Sequence, residues 1–129
     1  MIEIAIDPTS AQIKNLMTQP HQGKVVMINL LQLKPWVEET GGQTGAALYA
    51  DYMNQAAPFL AQVGGKVLYF GDYLAQLIAP DGEAAWDKIL LVEYPAKEKF
   101  LEMIQLPGYP SALRTKAVAN SRLWATTTK

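Results

Sequence analysis

The chain has 129 residues, with 11 lysines and arginines against 12 aspartates and glutamates, a formal net charge of -1 and no cysteine. A chain of this length buries a hydrophobic core without help from metals or disulfides. The lack of cysteine excludes a disulfide framework, a thiolate nucleophile and metal sites with sulfur ligands. No run of lysine or arginine forms the basic stripe that is typical of nucleic-acid binding. We therefore expect a single domain over residues 1–129 that binds no nucleic acid.

The hydropathy pattern gives no sign of a membrane protein. No apolar run approaches the roughly 20 residues that cross a bilayer. The N-terminus also lacks a basic segment followed by a continuous apolar stretch, which a secretory signal would show. The expected location is the cytoplasm, with no membrane partner.

Residues 1–23 are predicted to form an N-terminal arm and a helix that precede the core. Isoleucine recurs at every second position of the arm, which is the pattern of a short strand or an extended segment: Ile2, Ile4 and Ile6. Asp7 followed by Pro8 is typical of a helix N-cap and first helical residue. The helix is expected from Pro8 to about Thr18.

Residues 24–126 are predicted to form the core, beginning with a central strand that ends at Leu33. This strand is mainly apolar on both faces and places Asn29 among apolar residues. Apolar residues then recur at steps of three and four over residues 46–63, which predicts a helix kinked at Pro58 and closed by two glycines.

The second half of the core is predicted to contain a hairpin, a helix and a last strand. A strand starts at Lys66, bulges at Gly71 and runs towards Ile78. Asp81-Gly82 is a hairpin signal, with a returning strand over residues 86–94. A helix after Pro95, a further helical turn through Arg114 and a strand over residues 121–126 complete the chain.

The order of these elements is βαββαβ after the extra N-terminal helix. Right-handed crossovers then give a ferredoxin-like α+β fold, a four-stranded antiparallel sheet in the order 4-1-3-2. Helices on one side leave the other face of the sheet open, although the central strand is apolar on both faces. A monomer rarely exposes so large an apolar surface. We therefore expect a twofold homodimer that packs sheet against sheet, a dimeric α/β barrel.

Motifs spread over nearly the whole chain resemble the DUF1330 family, within the dimeric α+β barrel superfamily. They are Asp7-Pro8-Thr9, the strand Val25 to Leu31, Tyr49 and Tyr52 before Ala57-Pro58, Gly64-Gly65-Lys66, Trp86-Asp87, Val92 to Met103, Pro107-Gly108-Tyr109, and Leu113-Arg114 before Ser121-Arg122-Leu123. Where many members of that family carry His-Arg, this chain has Leu113-Arg114. The resemblance implies the fold and no assigned activity, while the wider superfamily includes cofactor-free monooxygenases, lactone isomerases and haem enzymes.

Asn29 and Glu93 are polar residues within otherwise apolar strands that the topology places side by side. If both face one pocket, burial would raise the pKa of Glu93 into the range of a general base, and Asn29 would hydrogen-bond a substrate carbonyl or enolate. The competing interpretation is structural, in which the two side chains satisfy each other or Arg122.

Several aromatic residues are candidates for substrate binding: Tyr49, Tyr52, Tyr69, Trp86 and Tyr109. They would stack on an aromatic ligand, or they simply pack in the core. Arg114 is the candidate for a bidentate contact with a carboxylate, against the alternative of pairing with Glu93 or Glu102.

Neither a metal nor a cofactor is expected. His21, the single histidine, lies in a connection rich in proline and glycine, unlike the well-supported position of a haem ligand. The acidic residues near Asp81 lack the spacing of a calcium loop. The expected function is binding of a small organic metabolite, either with cofactor-independent proton transfer, isomerisation or monooxygenation, or as a non-catalytic ligand-binding or regulatory dimer.

Overall fold

The computed structural model describes residues 3–129, so the predicted role of Ile2 in the arm lies outside the described residues. The elements along the chain are α1 (Ser10–Met17), β1 (Val25–Leu33), α2 (Gly45–Gln62), β2 (Lys66–Asp72), β3 (Lys88–Tyr94), α3 (Lys97–Ile104), α4 (Ser111–Ala117) and β4 (Val118–Thr126).

The four strands form one antiparallel sheet in the order β2-β3-β1-β4. This is the order predicted from the sequence, and the ferredoxin-like α+β fold is confirmed. The first and third strands are neighbours, with Val25 opposite Tyr94 and Leu31 opposite Lys88. This pairing fixes which side chains of β1 and β3 share a face of the sheet.

The two faces of β1 have different environments. Val25, Met27 and Leu31 point towards the helices and are 3%, 2% and 0% exposed. Val26 and Ile28 point to the opposite face and are only half-buried. Alternation of side chains along a strand explains this difference, since residues two apart share a face.

Among residues 3–129, no helix packs on the other face of the sheet, which exposes apolar side chains. Tyr69 of β2, Ile89 of β3 and Trp124 of β4 are 52%, 38% and 52% exposed. We call this surface the open face. Within residues 3–129, no helix is both long and apolar enough to cross a membrane.

The first helix begins two residues later than predicted, because Thr9 caps it rather than Asp7. The Thr9 side chain accepts a hydrogen bond from the Gln12 backbone, and the Gln12 side chain accepts one from the Thr9 backbone. This reciprocal capping box satisfies two backbone donors at once, which a single Asp7 cap would not do. The α2 helix runs through Pro58 and ends before Gly64, whose φ of +79° suits glycine.

The hairpin between β2 and β3 also differs from its prediction. The strand ends at Asp72 rather than near Ile78, and its register shifts between Val67 and Tyr69 rather than at Gly71. Residues 73–87 form a long irregular connection, at whose ends the Tyr73 backbone N–H donates to Asp87 and the Asp87 backbone N–H donates to Leu31 of β1. Three apolar side chains in this loop are 94–96% exposed, namely Leu74, Leu77 and Ile78.

Candidate functional site

A cavity of about 960 Å³ lies between the helical side of the sheet and the helices. Its floor is the buried face of β1 and β3, including Met27 and Val92, and its walls come from α1, α2, α3 and α4. The N-terminal arm, residues 3–9, runs along its edge. The volume is at the upper end of the range usual for small-molecule sites.

Tyrosines from α2, from β3 and from the segment before α4 meet in this cavity. Tyr49 and Tyr52 are three residues apart on α2, a spacing that places them on one face of the helix with ring centroids 5.3 Å apart. Tyr109, just before α4, packs its ring edge-on against Tyr52, with centroids at 6.1 Å. The hydroxyl groups of Tyr52 and Tyr109 are hydrogen-bonded to each other. Tyr94 of β3 joins the lining and donates its hydroxyl to the sulfur of Met103.

Burial makes these phenols harder to ionise. It raises the pKa of Tyr109 to about 12, although the hydrogen bond with Tyr52 lowers it in part. Burial also raises the pKa of Tyr49, Tyr52 and Tyr94 well above the usual value, with neighbouring tyrosines adding to the rise. At neutral pH all four hydroxyls keep their protons, so they act as hydrogen-bond donors and acceptors rather than as bases.

Arg114 on α4 is the cation beside this cluster. Its Nη1 donates to the backbone oxygen of Ile6 at 2.6 Å, and it lies 4.0 Å from an Asp7 carboxylate oxygen. Its positive charge lowers the pKa of Tyr49 and of Tyr52 and so offsets part of the rise that burial causes. The pairing with Glu93 or Glu102 considered from the sequence is not found in the structure, because Arg114 turns towards the N-terminal arm.

Asn29 lines the cavity, whereas Glu93 does not. Asn29 is 7% exposed and donates through Nδ2 to the backbone oxygen of Leu90 at 3.3 Å. Glu93 points to the open face, where its carboxylate lies 3.8 Å from Lys24 and 3.6 Å from Lys66. The structure therefore does not place Asn29 and Glu93 in one pocket, the condition on which their joint catalytic role depended.

Two of the aromatic candidates also lie away from the cavity. Tyr69 is on the open face, where its ring folds over Gly71. Trp86 lies before β3, and the Arg122 guanidinium stacks over its ring at 5.4 Å. Of the eight side chains singled out from the sequence, five line the cavity: Asn29, Tyr49, Tyr52, Tyr109 and Arg114.

The N-terminal arm is attached to the edge strand β4 by a hydrogen-bond network that the sequence analysis missed. The buried Asn120 side chain accepts hydrogen bonds from the backbone of Ala5 and Ser121 and from Arg122. The Ser121 backbone donates to Ala5 in return. In the sequence, the sign of this network is the pair of adjacent polar residues Asn120 and Ser121 near the start of β4, because buried polar groups need hydrogen-bond partners.

Lys97 is a second cavity residue that the sequence analysis missed. It is 7% exposed, and its Nζ donates to the backbone oxygen of Gln19 after α1. Its position directly after Pro95-Ala96 was predicted as the start of a helix, but a helix start gives no sign that a lysine is buried. Among residues 3–129, no three histidine, aspartate or glutamate side chains are grouped to hold a metal ion.

Comparison with solved structures identifies close relatives. The chain superposes on the crystal structure of the RPA0582 protein from Rhodopseudomonas palustris with a TM-score of 0.86 and 35% identity, over 98% of this chain and 99% of that one. The methylated form of RPA0582 gives a TM-score of 0.87 at 34% identity, over 99% and 98% of the two chains. This chain belongs to the RPA0582 family. RPA0582 is itself described as a protein of unknown function, so membership of the family shows the fold and assigns no activity.

More distant structures share only the fold with this member of the RPA0582 family. SnoaB, a cofactor-independent oxygenase from Streptomyces nogalater, matches with a TM-score of 0.51 and 15% identity, over 83% of this chain and 94% of that one. A dimeric ferredoxin-like protein of unknown function from Bacteroides fragilis matches with a TM-score of 0.53 and 14% identity, over 83% and 98%. No protein-family model matches the chain, and no curated protein is significantly similar to it.

Proposed function

We propose that this protein binds a small, mainly apolar organic molecule in the cavity between its sheet and its helices. The observation that carries the proposal is the cavity of about 960 Å³ itself. The cavity is partly open to the surface, and its volume lies within the range of about 300–1,000 Å³ that is usual for small-molecule sites.

The polar groups in the cavity suit a ligand that carries an oxygen atom. Tyr52, Tyr109 and Asn29 offer protonated hydroxyl and amide groups within apolar walls. A few convergent polar groups in such walls orient a ligand. We assign Tyr49, Tyr52, Tyr109 and Arg114 to positioning the ligand, and Asn29 to hydrogen bonding with its carbonyl or enolate oxygen. Glu93, Tyr69 and Trp86 have no part in this proposal, because they lie outside the cavity.

Cofactor-independent catalysis is the second candidate function. It is favoured by buried phenols that remain protonated, because such donors stabilise charge that develops on an oxygen during proton transfer, isomerisation or oxygenation. The fold shared with the oxygenase SnoaB is compatible with it but shows no activity at 15% identity. With Glu93 outside the cavity, the base expected from the sequence does not face the ligand, and this favours the binding function over catalysis.

Native mass spectrometry of protein purified from its source tests the binding function directly. We expect a co-purified organic molecule that is lost after unfolding and refolding. A double substitution that fills the cavity, Asn29→Phe with Val92→Phe, should prevent co-purification in protein that remains folded. Equal ligand content in the filled variant and the natural protein would contradict the proposal.

Two further proposals concern family and assembly. The resemblance of the motifs supports placing the chain in the DUF1330 family. The open face supports a homodimer, because Tyr69, Ile89 and Trp124 expose apolar surface there and a twofold contact would cover it. The dimeric ferredoxin-like protein from Bacteroides fragilis is compatible with this assembly.

A further inference from the structure

The charged residues around the cavity are mostly basic. Within residues 3–129, the residues that line it include Lys97, Arg114 and, at its edge, Arg122, but a single acidic residue, Asp7; the Arg122 guanidinium itself lies over Trp86, outside the cavity. The whole chain has 11 basic and 12 acidic residues, so this excess is a property of the cavity and not of the protein. A site with such a lining favours a ligand of negative charge.

Arg114 is the cation best placed to meet such a ligand. It lies beside the tyrosine cluster and influences the pKa of Tyr49, Tyr52 and Tyr109. Its hydrogen bond to Ile6 occupies one of the five N–H donors of a guanidinium. The remaining donors keep the fork geometry that fits a carboxylate.

The neighbours of Arg114 do not neutralise it effectively. The backbone oxygen of Ile6 has no formal charge, and Asp7 is at 4.0 Å with a side chain that is 59% exposed. An ion pair of this length with an exposed partner is weak and screened by water. The Arg114 side chain is itself only 14% exposed, so a charge that is mostly removed from water lacks a strong partner.

We infer that the ligand is an apolar carboxylic acid, an inference that rests on the proposed binding function. Its carboxylate binds Arg114. Its apolar body lies along the tyrosines and the cavity floor that the sheet forms. The tyrosine hydroxyls are protonated, so they add neutral donors without repelling the anion. Lys97, held by Gln19, contributes a second positive charge to the same cavity.

The test compares acids with alcohols of the same shape. Isothermal titration would measure the affinity for decanoic acid and decanol, and for benzoic acid and benzyl alcohol. In the natural protein we expect the acid of at least one pair to bind about tenfold more tightly than its alcohol, the usual effect of a charge-assisted contact. Arg114→Gln should reduce that preference to about twofold, chiefly through weaker binding of the acid, and Arg114→Lys should retain part of it.

Lys116→Gln is the matched control, because Lys116 is exposed on the same helix; it should keep the full preference for the acid. Thermal melting of each variant confirms that it is folded. Equal affinity of the natural protein for acids and alcohols would overturn the inference and leave the binding function standing. A preference lost in Lys97→Met but kept in Arg114→Gln would overturn the assignment to Arg114. Absence of binding by all four probes would contradict the binding function together with the inference.

Discussion

Asn29 and Glu93 lie on neighbouring strands, yet their side chains leave the sheet from opposite faces. Asn29 is opposite Leu90 and Glu93 is opposite Val26 in the pairing of β1 with β3. Asn29 is therefore on the helical face, in the cavity, whereas Glu93 is on the open face between Lys24 and Lys66. This separation decides which of the two residues can contact a ligand.

Glu93→Gln is expected to leave ligand binding unchanged. The glutamine keeps the size of the side chain and removes only ion pairs with lysines that are 71% and 64% exposed. Such pairs contribute about 0–1 kcal/mol, so the free energy of unfolding should fall by no more than that. Urea denaturation and titration with a bound probe check both expectations. Loss of binding in this variant would restore Glu93 as a candidate functional residue.

Asn29→Leu is expected to weaken the binding of carbonyl-bearing ligands about tenfold. The side chains have similar volume, so the change removes an amide from the cavity without creating a void. The free energy of unfolding should change by about 1 kcal/mol, since one hydrogen bond to Leu90 is lost. Titration of the natural protein and the variant with one carbonyl ligand measures the effect. Unchanged affinity would exclude Asn29 from the site.

The hydroxyl groups of Tyr52 and Tyr109 are expected to contribute non-additively to the free energy of unfolding. Each single change to phenylalanine leaves the other hydroxyl without its partner and should cost about 1–2 kcal/mol. The double variant leaves neither hydroxyl, so its cost should be clearly less than the sum of the two. Urea denaturation of the natural protein and the three variants completes the cycle. Simple additivity would show that the hydroxyls do not depend on each other.

Stability is expected to fall at alkaline pH. An unfolded tyrosine ionises near pH 10, whereas the folded protein keeps the proton of Tyr109 until about pH 12. The folded state then binds more protons in this interval, and the free energy of unfolding decreases by about 1.4 kcal/mol per pH unit for each such tyrosine. Below pH 10 both states are protonated and the effect disappears.

Urea midpoints measured from pH 8 to pH 11 would follow this decline. Tyr109→Phe removes one of the four buried phenols. The free energy of unfolding should therefore decline less steeply with pH in this variant, by the contribution of about one proton. Ionisation of all tyrosines by ultraviolet absorbance while the circular dichroism stays native would contradict the prediction, since it would show that the buried phenols ionise in the folded state.

The open face is expected to hold a homodimer together. Sedimentation at micromolar protein should give about twice the chain mass, and Trp124→Glu should give a monomer, since it places a charge in the apolar contact. Lys116→Glu is the control, because it introduces the same carboxylate at an exposed position on the helical side and should leave the dimer intact. A monomeric natural protein would contradict the assembly.

Much of the fold was predictable because its signals are local. The alternation and length of Val25–Leu33, the apolar spacing of α2 and the glycines that close it indicate elements without reference to the rest of the chain. The handedness rule for crossovers then left one strand order, which the sheet confirms. The end of β2 was less predictable, because residues 73–78 are apolar enough for a strand but find no partner strand in the fold.

The sequence by itself determined the strand order, the position of the helices and the excess of apolar residues on both faces of the central strand. Only the tertiary structure decided which polar side chains meet. Strand pairing fixes the face of Asn29 and of Glu93 through a register of single residues, and a shift by one position would exchange the faces. Arg114 likewise meets Ile6, more than 100 positions away, because the fold returns the N-terminal arm to α4. Such contacts depend on three-dimensional proximity, which no local pattern encodes.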